Sequence, residues 1–214
     1  MKEKQLRDLR KTYKLNSLNR DDLLDDPKKL MRNWLDDAIG FKDPEPTAMT
    51  LSTVDKDGQP SSRVVLLKDI DDGFVFYTNY NSKKSEDIEA QNKVSLLFHW
   101  KVMERQVRIQ GTVEKVSEEN SIEYFHSRPK GSQLGAWASP QSKVIASRST
   151  LDDRMSELRE VYLGRDTLPK PAHWGGYRVL PTYFEFWQGR DNRLHDRFIF
   201  TFVNDSWEIK RLAP

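Results

Sequence analysis

The run Arg193-Leu194-His195-Asp196-Arg197 is the densest group of side chains in the sequence able to do chemistry. Alternate residues of a strand share a face, so Arg193, His195 and Arg197 are expected to point one way and Leu194, Asp196 and Phe198 the other. Three cationic groups on one face repel unless an anion or an electron-rich ring covers them, or unless carboxylates stand opposite; spacing alone leaves both open. Arg63 and Lys68 bracket the apolar run Val64 to Leu67. Their odd separation puts them on opposite faces of an unbulged strand, as anion contacts or as ordinary strand-end cations. Tyr124 and Arg128 stand one helical turn apart with Ser132 just beyond, a phenol, a guanidinium and a hydroxyl that suit a phosphate but also occur on any helix surface. Ser82 is expected to cap a helix whose first turn carries Lys83 and Lys84, and cations oppose the helix dipole there unless an anion sits at the same end. The small polar tract 131–142 reads as a loop closing over a ligand, with Gln141 and Ser142 as donors. Trp137, Trp174 and Trp187 serve either as its aromatic wall or as core.

These groups need a frame, and the hydrophobic pattern supplies one. Asp26 followed by Pro27 reads as a cap and first helical position, with Leu30, Met31, Trp34, Leu35 and Ala38 as the buried stripe. From Thr47 the period changes to that of strands: 47–54, 61–68, 73–79, 93–100 and 105–116, then 176–188, 193–203 and 206–213. Turn residues separate them, among them Asn204-Asp205. Helices are expected at 82–89, at 117–128 ending at Pro129 and Gly131, and from a Ser149 cap to Gly164. Seven or eight antiparallel strands with few, short helices predict a mainly β chain, a closed or nearly closed barrel with peripheral helices.

Composition removes other classes. The 214 residues contain no cysteine, which excludes disulfides, thiolate-held clusters and a cysteine nucleophile. Lys and Arg number 35 against 33 Asp and Glu, so no global charge draws the chain to nucleic acid. Glycine-rich nucleotide loops, HExxH and GxSxG are missing, and the four histidines are scattered, so no metal centre is expected. Residues 1–20 carry seven basic and two acidic side chains and no continuous apolar run. They read as a flexible arm rather than a leader or membrane anchor, ahead of a single domain at 21–214, in a soluble, cytoplasmic protein.

Taken in order, RVVLLK (63–68), FYTN (76–79), SKK (82–84), ERQVRIQG (104–111), EYFHSRPKGSQLGAWAS (123–139), HWGGYRV (173–179), EFWQG (185–189) and RLHDRF (193–198) closely resemble the pyridoxine/pyridoxamine 5'-phosphate oxidase family over essentially the whole chain. That resemblance implies an FMN-binding split β-barrel and a homodimer with FMN at the subunit interface. It implies FMN contacts from Arg63, Val64, Lys68, Tyr77, Thr78, Lys83, Lys84, Gln106, Gln141, Ser142, Trp187 and Arg197. Substrate phosphate falls to Lys68, Tyr124, Arg128 and Ser132, the pyridine to Arg193 and His195 as catalytic residues, and a lid to Arg10 and Tyr13. The implied reaction oxidises pyridoxine or pyridoxamine 5'-phosphate to pyridoxal 5'-phosphate with molecular oxygen, releasing hydrogen peroxide, and ammonia from the amine. Lys83 stands where the family commonly has arginine, so it keeps charge but loses the planar fork. The alternatives are a non-catalytic flavin- or haem-binding split-barrel protein or a store of pyridoxal phosphate, against which the full substrate-side set stands because a flavin binder needs no second anion pocket, and a deazaflavin reductase sharing the barrel, which should not require the 193–197 face together with the 126–132 loop.

Overall fold

A computed structural model describes residues 8–9 and 11–214; Arg10, one of the two expected lid residues, lies outside the described residues. Among the described residues nine strands join in one hydrogen-bonded sheet: β1 (Ala48–Val54), β2 (Pro60–Leu66), β3 (Asp69–Ile70), β4 (Phe74–Asn79), β5 (Lys93–Trp100), β6 (Arg105–Lys115), β7 (Trp174–Gln188), β8 (Asp196–Val203) and β9 (Ser206–Leu212). Among the described residues five complete α-helices accompany them: α1 (Pro27–Gly40), α2 (Lys83–Ala90), α3 (Glu118–Ser127), α4 (Lys130–Ala138) and α5 (Ser149–Val161). The described residues sort into two compact units, one of those up to Met49 with Leu96–Gln110 and Thr182–Pro214, the other of Thr50–Ser95 and Gly111–Pro181.

In the first unit, α1 starts as its sequence dictates: Asp26 accepts a hydrogen bond from the Lys28 amide and Pro27 takes the first position, where its missing N–H costs nothing. The helix buries Leu30, Met31, Trp34 and Ala38, and Trp34 meets Phe186 edge-on at 5.1 Å. The second half of β7 pairs antiparallel with β8, placing Trp187 opposite Arg197 and Gln188 opposite Asp196. β8 returns as β9 through Asn204 and Asp205, whose φ of 48° and 60° are those of a two-residue hairpin turn that follows the strand twist.

In the second unit, β4 pairs antiparallel with the first half of β7, from Phe74 opposite Val179 to Asn79 opposite Trp174. Gly111 on β6 has no room for a side chain, since a Cβ would lie 2.0 Å from the Leu180 carbonyl oxygen. Phe125, Leu134, Ala138, Leu158, Leu168 and Trp174 form a buried cluster that holds α3, α4 and α5.

Several expectations need correction. Residues 131–138 are helix, not loop: Pro129 ends α3 and its carbonyl then accepts the Ser132 and Gln133 amides to open α4. Packing of Leu134 and Ala138 on the buried cluster outweighs the two glycines. Ser149 is the first residue of α5 and not its cap, which is Arg148. Ser82 occupies the cap of α2, but its hydroxyl meets Ser85 and Lys84 instead of a backbone amide. β2 stops at Leu66, so strand parity does not reach Lys68. The largest change concerns 193–195. The ladder of β7 and β8 ends at the Gln188–Asp196 pair, and Asn192 and Arg193 adopt left-handed φ of 56° and 63°, so Arg193, His195 and Arg197 do not alternate along one strand.

Candidate active site

A cavity of about 890 Å³ opens in the second unit. β2 supplies Arg63 and Val64, β4 supplies Tyr77 and Thr78, the start of α2 supplies Lys83 and Lys84, and the segment after α4 supplies Gln141 and Ser142. Lys68, Tyr124, Arg128 and Ser132 line the same space, so the substrate-phosphate set and nine of the expected FMN contacts converge there.

The cations around this cavity are not equivalent. Lys83 bonds to Asp87 one helical turn away and reaches Asp55 at 3.5 Å, and hydrogen bonding to Asp87 holds its pKa above the ordinary value. Its charge is met inside the protein, which removes half of the argument that the basic first turn demands an outside anion. Arg63 donates to the Leu51 carbonyl at 3.2 Å, to Thr53 at 2.7 Å and to Ser61 at 2.7 Å, with Asp87 at 3.8 Å. Lys84 differs. Its buried ammonium donates to Thr78, Ser82 and Gln141 at 3.1, 3.1 and 3.2 Å, all of them neutral oxygens. Burial, with repulsion from Arg63 added, lowers its pKa to about 8. A buried ammonium without a carboxylate is costly unless a ligand brings the negative charge.

Arg128 marks a second such place. It is the residue that closes α3, with extended backbone, so it leaves the helix and does not share a helical face with Tyr124. Nη2 donates to the Ser132 carbonyl at 2.9 Å, whereas Nη1 is buried with no partner. The guanidinium lies 4.7 Å from the centre of the Trp174 ring. Tyr77 stacks on Tyr124 at 4.0 Å and on Trp174 at 5.5 Å, a flat aromatic wall, and burial followed by the neighbouring Tyr124 pushes the Tyr77 phenol up to about 12. Orphaned buried donors are rare in folded proteins and carry a cost until something accepts from them. An aromatic wall with an unmatched ammonium and an orphaned guanidinium N–H fits ligands that are flat and doubly anionic. Of the three tryptophans expected as a wall, Trp174 takes that place; Trp137 donates to the Pro169 carbonyl at 2.9 Å and Trp187 belongs to the other unit.

In the first unit, Gln106, Trp187 and Arg197 line a smaller cavity of about 230 Å³ with Arg108 and Glu185. Glu185 accepts from Arg197 at 2.8 and 2.7 Å and from Arg108 at 2.5 Å, so one buried carboxylate fixes two guanidiniums. His195 packs against Trp187 at 4.5 Å, and its Nδ1 accepts the Arg190 amide at 3.1 Å, which leaves the proton on Nε2. Burial, then repulsion from Arg193 and Arg197, lowers its pKa below the ordinary value. Arg193 is exposed. Tyr13 meets the Trp187 and His195 rings edge-on at 5.8 and 5.6 Å. Among the described residues no group of three His, Asp or Glu is placed to hold a metal, and no helix is long and apolar enough to cross a membrane.

Sequence reading missed the carboxylates that organise these cations, Asp87 for Lys83 and Arg63 and Glu185 for Arg108 and Arg197. Asp87 was open to discovery as the i+4 partner of Lys83. Glu185 sits diagonal to Arg197 across the β7–β8 ladder, a relation visible only once the register is known.

The family model described as pyridoxamine 5'-phosphate oxidase matches residues 36–162, and that described as pyridoxine 5'-phosphate oxidase C-terminal dimerisation region matches 174–214. The chain is 53% identical over 212 residues to the pyridoxine/pyridoxamine 5'-phosphate oxidase of Cupriavidus pinatubonensis, covering 98% of this chain and 99% of the relative. The fold is similar to that of PhzG from Burkholderia lata, crystallised with tetrahydrophenazine-1-carboxylic acid, with a TM-score of 0.87 at 30% identity over 94% of this chain and 99% of that one. An FMN-binding, pyridoxamine 5'-phosphate oxidase-related protein from Nostoc punctiforme shares the fold at a TM-score of 0.72 and 14% identity, over 90% of this chain and 100% of that one.

Proposed function

The chain belongs to the pyridoxine/pyridoxamine 5'-phosphate oxidase family, and from that premise we propose how its own side chains divide the work. It is an FMN-dependent oxidase that converts pyridoxine or pyridoxamine 5'-phosphate to pyridoxal 5'-phosphate, and its fold is the antiparallel split β-barrel with peripheral helices. The residues lining the cavity would hold FMN, which when bound would supply the two-electron redox chemistry between the substrate C4' carbon and molecular oxygen, reduced to hydrogen peroxide. With the alcohol the carbon leaves as the aldehyde; with the amine, water completes the conversion and ammonia departs.

The side chains hold, orient and neutralise. Lys84 and Arg63, with Lys83 behind its carboxylate partners, take the FMN phosphate, and Val64, Tyr77, Thr78, Gln141 and Ser142 complete that part of the flavin site. Arg128, Ser132, Tyr124 and Lys68 take the phosphate of the substrate, the orphaned Arg128 Nη1 finding its acceptor there. Lys68 serves both ligands. Fixing the substrate at its phosphate supplies the orientation that a bimolecular encounter lacks. Arg193 and His195 engage the pyridine at its reacting end, His195 as a neutral donor through Nε2. Arg10 and Tyr13 cover the substrate, and residues 1–20 act as the lid on a catalytic body at 21–214. The chain carries the C-terminal dimerisation region and forms a homodimer. FMN lies at the subunit interface, where Gln106, Trp187 and Arg197 complete its site. The enzyme works in the cytoplasm.

The observation that carries this reading is that one cavity holds two separately unmatched cations, Lys84 and Arg128. Oxygen uptake by the FMN-loaded protein tests it. Pyridoxine and pyridoxamine 5'-phosphates are expected to turn over with one peroxide per aldehyde, and unphosphorylated pyridoxine at least about 100-fold less efficiently, the loss of a charge-assisted contact. Equal efficiency on unphosphorylated pyridoxine contradicts the second anion site.

A further inference from the structure

Glu104 ends the turn between β5 and β6 and has the left-handed φ of 57°, an uncommon conformation for a residue with a side chain. It is nonetheless buried, 6% exposed. One carboxylate oxygen accepts the backbone amides of Lys14 and Leu15 at 3.0 and 3.1 Å, and the other meets the Lys11 ammonium at 3.0 Å. Its main-chain carbonyl faces a different segment, accepting the Gly189 amide at 2.7 Å and the Gln188 side-chain amide at 3.3 Å. Gly189 is the floor under Tyr13: a Cβ there would lie 2.8 to 3.0 Å from three Tyr13 carbons. One residue thus grips the chain just after Tyr13 with its side chain and the surface beneath the Tyr13 ring with its backbone. Burial would raise the Glu104 pKa, but the Leu15 amide, the Lys11 ammonium and the Lys14 amide outweigh it and keep the carboxyl below its ordinary value.

We propose that Glu104 is a positioning residue for the reaction, the latch that seats Tyr13 against Trp187 and His195 and so sets substrate affinity. The proposal rests on the reading of Tyr13 as a lid residue. A latch of this kind acts on binding, where a closed arm adds contacts to bound substrate, and not on the electron transfer step.

The test uses the FMN-loaded dimer. Glu104→Gln keeps the shape of the side chain but loses the charge that pairs with Lys11 and half of its accepting capacity. The KM for pyridoxine 5'-phosphate is expected to rise about 10-fold with kcat and FMN content within about twofold, the pattern of lost uniform binding. Trypsin is expected to cut the variant faster after Lys11 and Lys14. Tyr13→Ala should raise KM to a similar extent, and the double variant should show no further rise, because both act through one contact. Gly189→Ala, which leaves the carboxylate intact but intrudes on the ring, should raise KM as well. A Glu104→Gln enzyme with unchanged KM and unchanged cleavage, beside a Tyr13→Ala enzyme with raised KM, overturns the latch while sparing the lid. Multiplying KM effects in the double variant also overturn it, since they make Glu104 a structural residue acting elsewhere. If Tyr13→Ala leaves KM unaltered, lid and latch fall together.

Discussion

Lys83 and Lys84 are neighbours in sequence with opposite electrostatic situations. Asp87 and Asp55 meet the charge of the first, and only neutral oxygens meet the second. With its pKa lowered to about 8, Lys84 in the ligand-free site is mostly neutral above that pH. A phosphate beside it favours the charged form and pulls the proton back. FMN binding is therefore expected to take up close to one proton at pH 9, and affinity should fall as pH rises past 8. Calorimetry in buffers of different ionisation enthalpy measures this, and Lys84→Arg, which stays charged, should take up none. Equal uptake by both proteins would place the titrating group elsewhere. Arg193 offers a different contrast, being exposed and backbone-strained with a φ of 63°. Arg193→Ala is expected to lower kcat on the order of 100-fold while FMN affinity stays within about twofold, as for a group that acts on the reacting substrate. Titration with FMN beside steady-state rates separates the two, and unchanged turnover at saturating substrate rejects the assignment.

At the scale of elements, the strands that alternate or carry β-branched and aromatic runs were legible: β5 falls at 93–100 as read, and β1 shows its alternating burial. The failures share a cause. In 131–138 two glycines and a serine weaken helix propensity, and only the contact of Leu134 and Ala138 with Phe125 and Trp174 decides the matter. In 193–195 the residue types suit a strand, but β7 ends at Gln188 and leaves nothing to pair with. The β8–β9 turn was legible because Asn and Asp tolerate left-handed backbone, though glycine does so without the Cβ penalty. Asp205→Gly is thus expected to stabilise the protein by up to about 1 kcal/mol, raising Tm by roughly 2–4 °C for a chain of this size. Thermal denaturation at fixed protein and FMN concentration checks it, and a lowered Tm would mean that the Asp205 side chain contributes more than its backbone costs.

For the whole molecule, the cations of the site were readable as residue types. Their sorting into matched and unmatched charges was not, because Asp87, Asp55 and Glu185 reach them through the fold. FMN itself came from family resemblance, since no spacing of cations specifies a flavin. The proposed placement of the site at the interface of the homodimer makes a stoichiometric prediction. If one site takes Lys84 from one subunit and Arg197 of the partner subunit, a hybrid of Lys84→Gln and Arg197→Gln subunits has one site carrying both changes and one carrying neither. Random reassortment makes half of the dimers hybrids, so at an FMN concentration that fills wild-type sites but leaves both variant homodimers largely empty, mixing the two should restore about one quarter of wild-type activity. No restoration after verified subunit exchange would place both residues in a site built by one chain.

The claim beneath all of this is that one cavity separates two phosphates, with Lys84 on the cofactor and Arg128 on the substrate. Its most direct measurement is the pair of constants, Kd for FMN and KM for pyridoxine 5'-phosphate at saturating FMN, in Lys84→Gln and in Arg128→Gln. Losses on the order of 10- to 100-fold are expected for Kd alone in the first and for KM alone in the second, as charge-assisted contacts are removed one at a time. Equal losses of both constants in both variants, or losses exchanged between them, would contradict it.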